Sequence, residues 1–139
     1  MTRKTKVFID ANIPMYAAGQ EHPNRESSIE VLKSISENKI IGVTSAEVMQ
    51  EILYRYWSIN LLKKGLEVFD SFSQIIDDIL PVNFNIISEA KNLLVEINHQ
   101  NIFPRDAIHV ATMDHYGISF IATHDKHFKV FKHIKYLSL

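Results

Sequence analysis

The sequence contains no cysteine, and that absence removes two structural solutions at once. There can be no disulfide framework and no thiolate zinc site, so any metal must sit on oxygen or imidazole ligands. Also missing is an apolar run approaching the roughly 20 residues that cross a bilayer. The start, Met1 to Lys6, is polar and leads straight into a strand-like segment. Nothing there marks the chain for export or for a membrane, and a cytoplasmic location is the expected default. A surplus of charge of one sign is lacking too: the formal net charge is -1, so no global field draws a polyanion. Nucleic acid would have to be held locally. Arg3, Lys4 and Lys6 could do so, as could Lys126, Lys129, Lys132 and Lys135, and each group reads equally well as a solvated face.

What is present is the composition of a globular chain, with 46% hydrophobic and 22% charged residues. A length of 139 residues suits one domain, 1–139, with one core, because each half alone would bury too little apolar surface. Val7 to Ile9 reads as a strand closed by Asp10, with Asn12 capping a turn of helix that has Pro14 in its first turn. Gly19 to Asn24 is a loop, and Ile29, Leu32 and Ile35 then recur at helical spacing until Asn38. Ile40 to Val43 reads as a second strand, and Thr44 with Glu47 has the form of a capping box opening a helix with Val48, Ile52, Leu53 and Tyr56 inward.

Leu61 to Leu80 reads as an untidy helix with Gly65 early in it, ended by Pro81. Asn85 is the expected cap of the next helix, with Ile86, Ala90, Leu93, Leu94 and Ile97 as its buried face; His99 to Phe103 follows as a loop. Pro104 opens a helix that runs to Tyr116 and stops at Gly117. Ile118 to Thr123 then reads as a strand buried on both faces, and Ile134 to Leu137 as a last short one. Strands alternating with helices, without repeats or a composition break, predict an α/β class with a central parallel sheet sandwiched by helices. Ligands of such sheets bind beyond the carboxyl ends of the strands, where Asp10 and Asp125 both fall.

Each acid also has a structural reading. Asp10 could cap the following helix, although a carboxylate surfacing from an apolar strand is costly without a cation or donor nearby. Glu47 is explained by the capping box, whereas Glu51, one turn later, has no such local duty and could equally be a solvated acid. Asp106 falls in the first turn of a helix, where the dipole stabilises it whatever it does. His109, among Ala107, Ile108, Val110 and Ala111, reads as a packing residue rather than a ligand. Thr123, His124, Asp125, Lys126 and His127 crowd polar groups where the chain leaves a buried strand. Zinc is not expected, because three or four ligands at recognisable spacing are not found. Four acids at one edge would repel one another, and the usual resolution is one or two hard cations, Mg2+ or Mn2+. Two such ions can hold a phosphodiester and generate hydroxide, so no nucleophilic side chain is required.

The segments Val7-Phe8-Ile9-Asp10-Ala11-Asn12, Thr44-Ser45 with Glu51-Ile52-Leu53, Arg105 to Thr112, and Thr123-His124-Asp125-Lys126-His127-Phe128 occur in the order and spacing of a known family. Over nearly the whole chain the sequence resembles the PIN domain, and most closely the toxin component of VapBC toxin–antitoxin pairs. The resemblance implies that Asp10, Glu51, Asp106 and Asp125 are the metal-binding acids, with Asn12, Thr123 and His127 in support, and it selects Glu51 over Glu47. It also implies a Mg2+- or Mn2+-dependent endoribonuclease, commonly a homodimer, acting on RNA and neutralised by a small antitoxin. Two positions depart from the family pattern: Ala11 stands where Thr or Ser is frequent, and His127 where a second Asp is frequent. A one-metal site, or one in which His127 replaces a carboxylate, is therefore open. Rival readings are a PIN-like DNA nuclease and a non-catalytic acidic pocket. A receiver domain or an aspartyl phosphatase ranks lower, since the latter wants an acid where Asn12 stands.

Overall fold

The computed structural model describes residues 4–98 and 101–139. Arg3 of the first basic group, and His99 and Gln100 of the expected loop, lie outside the described residues. Strand β1 (Lys6–Ile9) is followed by α1 (Asn12–Ala17) and α2 (Arg25–Ser36), then β2 (Ile41–Ser45), α3 (Ala46–Ser58) and α4 (Leu62–Ile75). Next come β3 (Asp78–Leu80), α5 (Phe84–Ile97), α6 (Pro104–His115), β4 (Phe120–Ala122), a 3-10 turn at His127–Val130 and β5 (Lys135–Tyr136).

All the strand pairings are parallel, in the order β3-β2-β1-β4-β5. Central β1 is covered on both faces: Val7, Phe8 and Ile9 are each 0% exposed, as its β-branched and aromatic run anticipates. The chain builds outward from β1 to β3 on one side and then crosses to β4 and β5 on the other. A crevice therefore opens between the carboxyl ends of β1 and β4, where the winding reverses.

Several element boundaries differ from the sequence pattern, each for a local physical reason. Helix α3 begins one residue later than a Thr44 cap would place it. Ser45 is its N-cap and accepts from the Val48 amide at 3.2 Å. Thr44 stays in the strand, its hydroxyl donating to the Ile9 carbonyl at 2.8 Å, so no capping box forms with Glu47. Similarly, Asn83 rather than Asn85 caps α5, accepting from the Ile86 amide at 3.0 Å. The segment expected as one helix to Leu80 ends at Ile75 and becomes β3. The open edge of β2 captures it: the Asp77 amide donates to the Gly42 carbonyl (2.9 Å) and Asp77 Oδ2 accepts from the Gly42 amide (2.8 Å). The stops at Asn38 (φ 60) and Gly117 (φ 70) are as expected, both left-handed. In α2 the buried face is Ser28, Val31 and Ile35, while Ile29 is 37% exposed.

Helix α4 buries Gly65, Val68 and Phe72 and leaves Leu66 exposed. Gly65 allows α3 and α4 to touch, since a Cβ there would lie 2.5 Å from Tyr56 Cβ and 3.0 Å from its Cγ. Gly65→Ala should gain about 1 kcal/mol of helix propensity yet lose about 1–3 kcal/mol to overpacking. A net fall in the urea midpoint is expected. An unchanged or higher midpoint would show that the two helices part without cost.

Candidate active site

The carboxyl ends of β1 and β4 are sewn together by side chains. Asp10, 5% exposed, continues β1 and donates its amide to the Ala122 carbonyl at 3.1 Å. Its Oδ1 accepts from the Ala11 amide (2.8 Å), and its Oδ2 from the Thr123 hydroxyl (2.7 Å) and Asn12 Nδ2 (3.3 Å). Thr123 Oγ1 in turn accepts from Asn12 Nδ2 and from the Asp125 amide, both at 3.0 Å. Asn12 does not cap α1, whose N-cap is Ala11 without a side-chain bond. It spans the crevice instead, its Oδ1 accepting from the His124 amide at 3.2 Å. Tyr136 completes the loop by donating its hydroxyl to the Asp125 carbonyl at 2.8 Å. Burial, aided by the Asp125 charge, pushes its pKa up to about 12, so it stays a donor.

Helix α3 supplies Glu51, 7% exposed, beside Val48 and Ile52. Its Oε1 is 3.7 Å from Arg105 Nε and 3.4 Å from His109 Nε2, and its Oε2 is 3.6 Å from Arg55. Helix α6 supplies Asp106 in its first turn, where Oδ2 accepts from the Phe103 amide at 3.1 Å. One turn later the same helix supplies His109, 1% exposed, whose Nε2 is also 3.8 Å from Asp10 Oδ1. Asp125 is more open. Its Oδ1 accepts from the His127 amide (2.8 Å) and lies 3.2 Å from His127 Nδ1, which is 3.7 Å from Asp106 Oδ2.

Burial dominates the electrostatics. It raises the Asp10 carboxyl above its ordinary pKa, against the pull of His109. It raises Asp106 as well, with Asp125 adding repulsion. Burial also pushes Glu51 upward, but His109, Arg105 and Arg55 together outweigh it and hold that carboxyl below its usual value. For His109, burial favours the neutral ring, yet the carboxylates of Glu51, Asp10 and Asp106 win and raise its pKa.

A cleft of about 480 Å³ opens onto these groups and is lined by Asp10, Asn12, Glu51, Asp106, Asp125 and His127, with Thr123 buried behind Asp10. All seven expected site residues are thus brought together, and Glu47 is not among the cleft's lining residues. Among its further lining residues, which the sequence pattern did not single out as functional, are the basic side chains of Arg55, Arg105 and His109. The signal for Arg55 is its i+4 spacing from Glu51, and for His109 its i+3 spacing from Asp106. The lysines expected to hold nucleic acid, among the described ones, do not line the cleft; its cations are the two arginines. One ligand atom from each of Asp10, Glu51 and His109 lies within 4.8 Å of the others, and the same holds for Asp106, Asp125 and His127.

The profile of the PIN domain matches residues 7–134. The chain belongs to the PIN domain family. Among curated relatives it is 33% identical over 132 residues to ribonuclease VapC13 of Mycobacterium tuberculosis, covering 95% of this chain and 99% of the relative. Among solved structures it superposes on VapC20 of Mycobacterium tuberculosis, a sarcin–ricin loop cleaving toxin, with TM-score 0.76 and 15% identity, covering 90% of this chain and 94% of that one. VapBC2 from Rickettsia felis, bound to a DNA fragment from its promoter, matches with TM-score 0.73 and 17% identity over 96% and 98% of the two chains. These two likenesses establish the fold.

The buried acids carry a stability cost with a definite pH signature. The folded-state pKa of Asp10 is raised, so the folded protein holds that proton more tightly than the unfolded chain, and stability falls as pH rises through the interval between the two values. Asp10→Asn should therefore raise the melting temperature of the metal-free protein by a few degrees at pH 7. The gain should vanish below about pH 4, where wild-type Asp10 is protonated in both states. Melting curves in chelator across this range check it, and a gain that is constant with pH would contradict the electrostatic cause.

Proposed function

We propose that this chain is a divalent-metal-dependent endoribonuclease and the toxin of a toxin–antitoxin pair. The observation that carries the reading is the convergence of Asp10, Glu51, Asp106 and Asp125 on one cleft at the reversal of the sheet. The donors suit a divalent cation. Three of the acids are buried, and Glu51 Oε1 and His109 Nε2, which face each other, are buried without a hydrogen-bond partner among the described residues, a state that a cation would relieve. We assign the four carboxylates as the groups that hold Mg2+ or Mn2+. A bound divalent ion supplies Lewis acidity at a phosphate and a water of lowered pKa.

The remaining roles belong to the chain itself. Thr123 and Asn12 fix the rotamer of Asp10 and close the strand ends around it. Phe103, Arg55 and Arg105 stand at the cleft, where the guanidinium groups offer forked donors to phosphate oxygens. His127 buttresses Asp125 from the side. Single-stranded RNA is the substrate this reading favours, because a single strand can splay its bases to bring a phosphate to the acids, whereas a rigid duplex holds its phosphates along its grooves.

The partner of this toxin is a small antitoxin protein, a reading supported by relatives named as VapC ribonucleases and by the VapBC structural neighbour. A second copy of the chain is a further partner. Tyr54, Trp57, Ile59 and Leu61, at 56%, 68%, 59% and 50% exposure, leave an apolar surface at the end of α3 that association would cover. We read the chain as one domain and place it in the cytoplasm; no described helix is long and apolar enough to cross a membrane.

Cleavage of single-stranded RNA should require Mg2+ or Mn2+, stop with chelator and return on adding metal. Asp106→Asn should abolish it without unfolding. Glu51→Gln should lower turnover by about tenfold or more, while Glu47→Gln should leave it intact and change stability by well under about 1 kcal/mol. Undiminished RNA cleavage in excess chelator would rule out the mechanism. Cleavage of DNA in preference to RNA would replace the substrate, and an inactive Glu47→Gln beside an active Glu51→Gln would move the site by one helical turn.

A further inference from the structure

His109 is the residue whose surroundings its sequence context least anticipates. A histidine among Ala107, Ile108, Val110 and Ala111 should be a satisfied packing group, yet neither ring nitrogen has a hydrogen bond although the ring is 1% exposed. Its ring lies against Phe8 and Phe128, with centroids 5.6 and 6.4 Å away, and its Nε2 faces the acids. Nε2 stands 3.4 Å from Glu51 Oε1 and 3.8 Å from Asp10 Oδ1, too far for well-formed hydrogen bonds. The same separations suit two donors of a single ion, since ligand atoms about 2.0–2.2 Å from a small cation stand about 3–4.2 Å apart. Glu51 Oε1, the facing acceptor, is itself buried without a hydrogen bond, its contacts with Arg105 and His109 being longer ion-pair separations. Two polar groups lacking hydrogen bonds thus point at one place from two different helices, α3 and α6.

We propose that Asp10, Glu51 and His109 form a mixed nitrogen–oxygen metal site, in which His109 Nε2 is a direct ligand and which takes a first-row transition dication in preference to magnesium. The inference rests on the metal-dependent reading above and adds the ligand that decides the ion. Magnesium favours oxygen donors and retained water, whereas an imidazole raises affinity for transition ions. His127 is the other histidine of the cleft, but its side chain is 41% exposed and its Nδ1 already sits 3.2 Å from Asp125. It is the weaker source of a nitrogen ligand.

Manganese is the probe, because it is paramagnetic and can be compared directly with magnesium. Electron spin-echo envelope modulation of the full-length protein loaded with Mn2+, prepared with 14N- or 15N-histidine, should show one histidine nitrogen coupled to the metal. The coupling should persist in His127→Ala and be lost in His109→Gln. Calorimetry should give wild-type binding about tenfold or more tighter for Mn2+ than for Mg2+, with that margin closing in His109→Gln. Mn2+ that binds without histidine coupling, coupling that disappears in His127→Ala, or equal affinity for the two ions would overturn the assignment and leave metal-dependent cleavage standing. Binding of neither ion would overturn both. Should His109→Gln fail to fold, the wild-type and His127→Ala spectra decide the matter alone.

Discussion

Three carboxylates buried at the end of a parallel sheet, Asp10, Glu51 and Asp106, set the terms for everything around them. Each loses the hydration that makes an ionised carboxylate cheap, a penalty of several kcal/mol per ion before compensation. The compensation differs from one acid to the next. Asp10 is held by an amide and a hydroxyl, Asp106 by the Phe103 amide at its own helix start, and Glu51 by the guanidinium groups of Arg55 and Arg105 with the His109 ring nearby. Of the three, Glu51 alone has its pKa lowered, while those of Asp10 and Asp106 are raised. The site is therefore under electrostatic load in the absence of a cation, which is the usual condition of a centre built to bind one.

The rigidity needed to bear that load comes from the sheet. Asp10 and Thr123 extend adjacent strands, so their separation is set by the β1–β4 register, in which Ile9 pairs with Ala122. Asn12 and Thr44 tighten the same end from either side: Asn12 bonds across to Thr123 and His124 just beyond β4, and Thr44 donates a hydrogen bond to the carbonyl of Ile9. Glu51 arrives on a helix that also buries Val48, Met49, Ile52 and Tyr56, and His109 on one that also buries Ala107, Val110, Ala111 and Met113, so packing of these side chains aims the polar groups. His127 keeps a contact with Asp125 at the mouth of the cleft, outside its most buried part.

Much of the architecture was legible in the chain itself, because hydrophobic periodicity and stop signals are local. The run from Val7 to Ile9 is apolar without alternation, which only a strand covered on both faces explains, and Asn38 and Gly117 end helices where a left-handed residue is needed. The alternation of strand and helix implied the parallel sheet, and motif order implied the four acids. Local rules failed where several residues could serve equally well. Ser45 and Asn83 took the capping roles expected of Thr44 and Asn85, since a cap is chosen by where the preceding strand or loop leaves the backbone, not by side-chain type alone.

The amino-acid pattern alone carried the α/β class and the central strand, both legible in short segments, while the family resemblance supplied the four acids that converge on one cleft. The tertiary structure alone decided their company. Residues 78–80 became a strand because the edge of β2 offered unpaired backbone groups to them, and no periodicity within that segment records this. Arg105 and His109 joined the cleft because the fold places α6 beside α3 and brings them within 4 Å of Glu51, whereas Arg55 reaches Glu51 from one turn along the same helix. Coulombic and desolvation energies depend on distances between residues remote in sequence and on the solvent excluded between them, and those quantities exist only once the chain has folded.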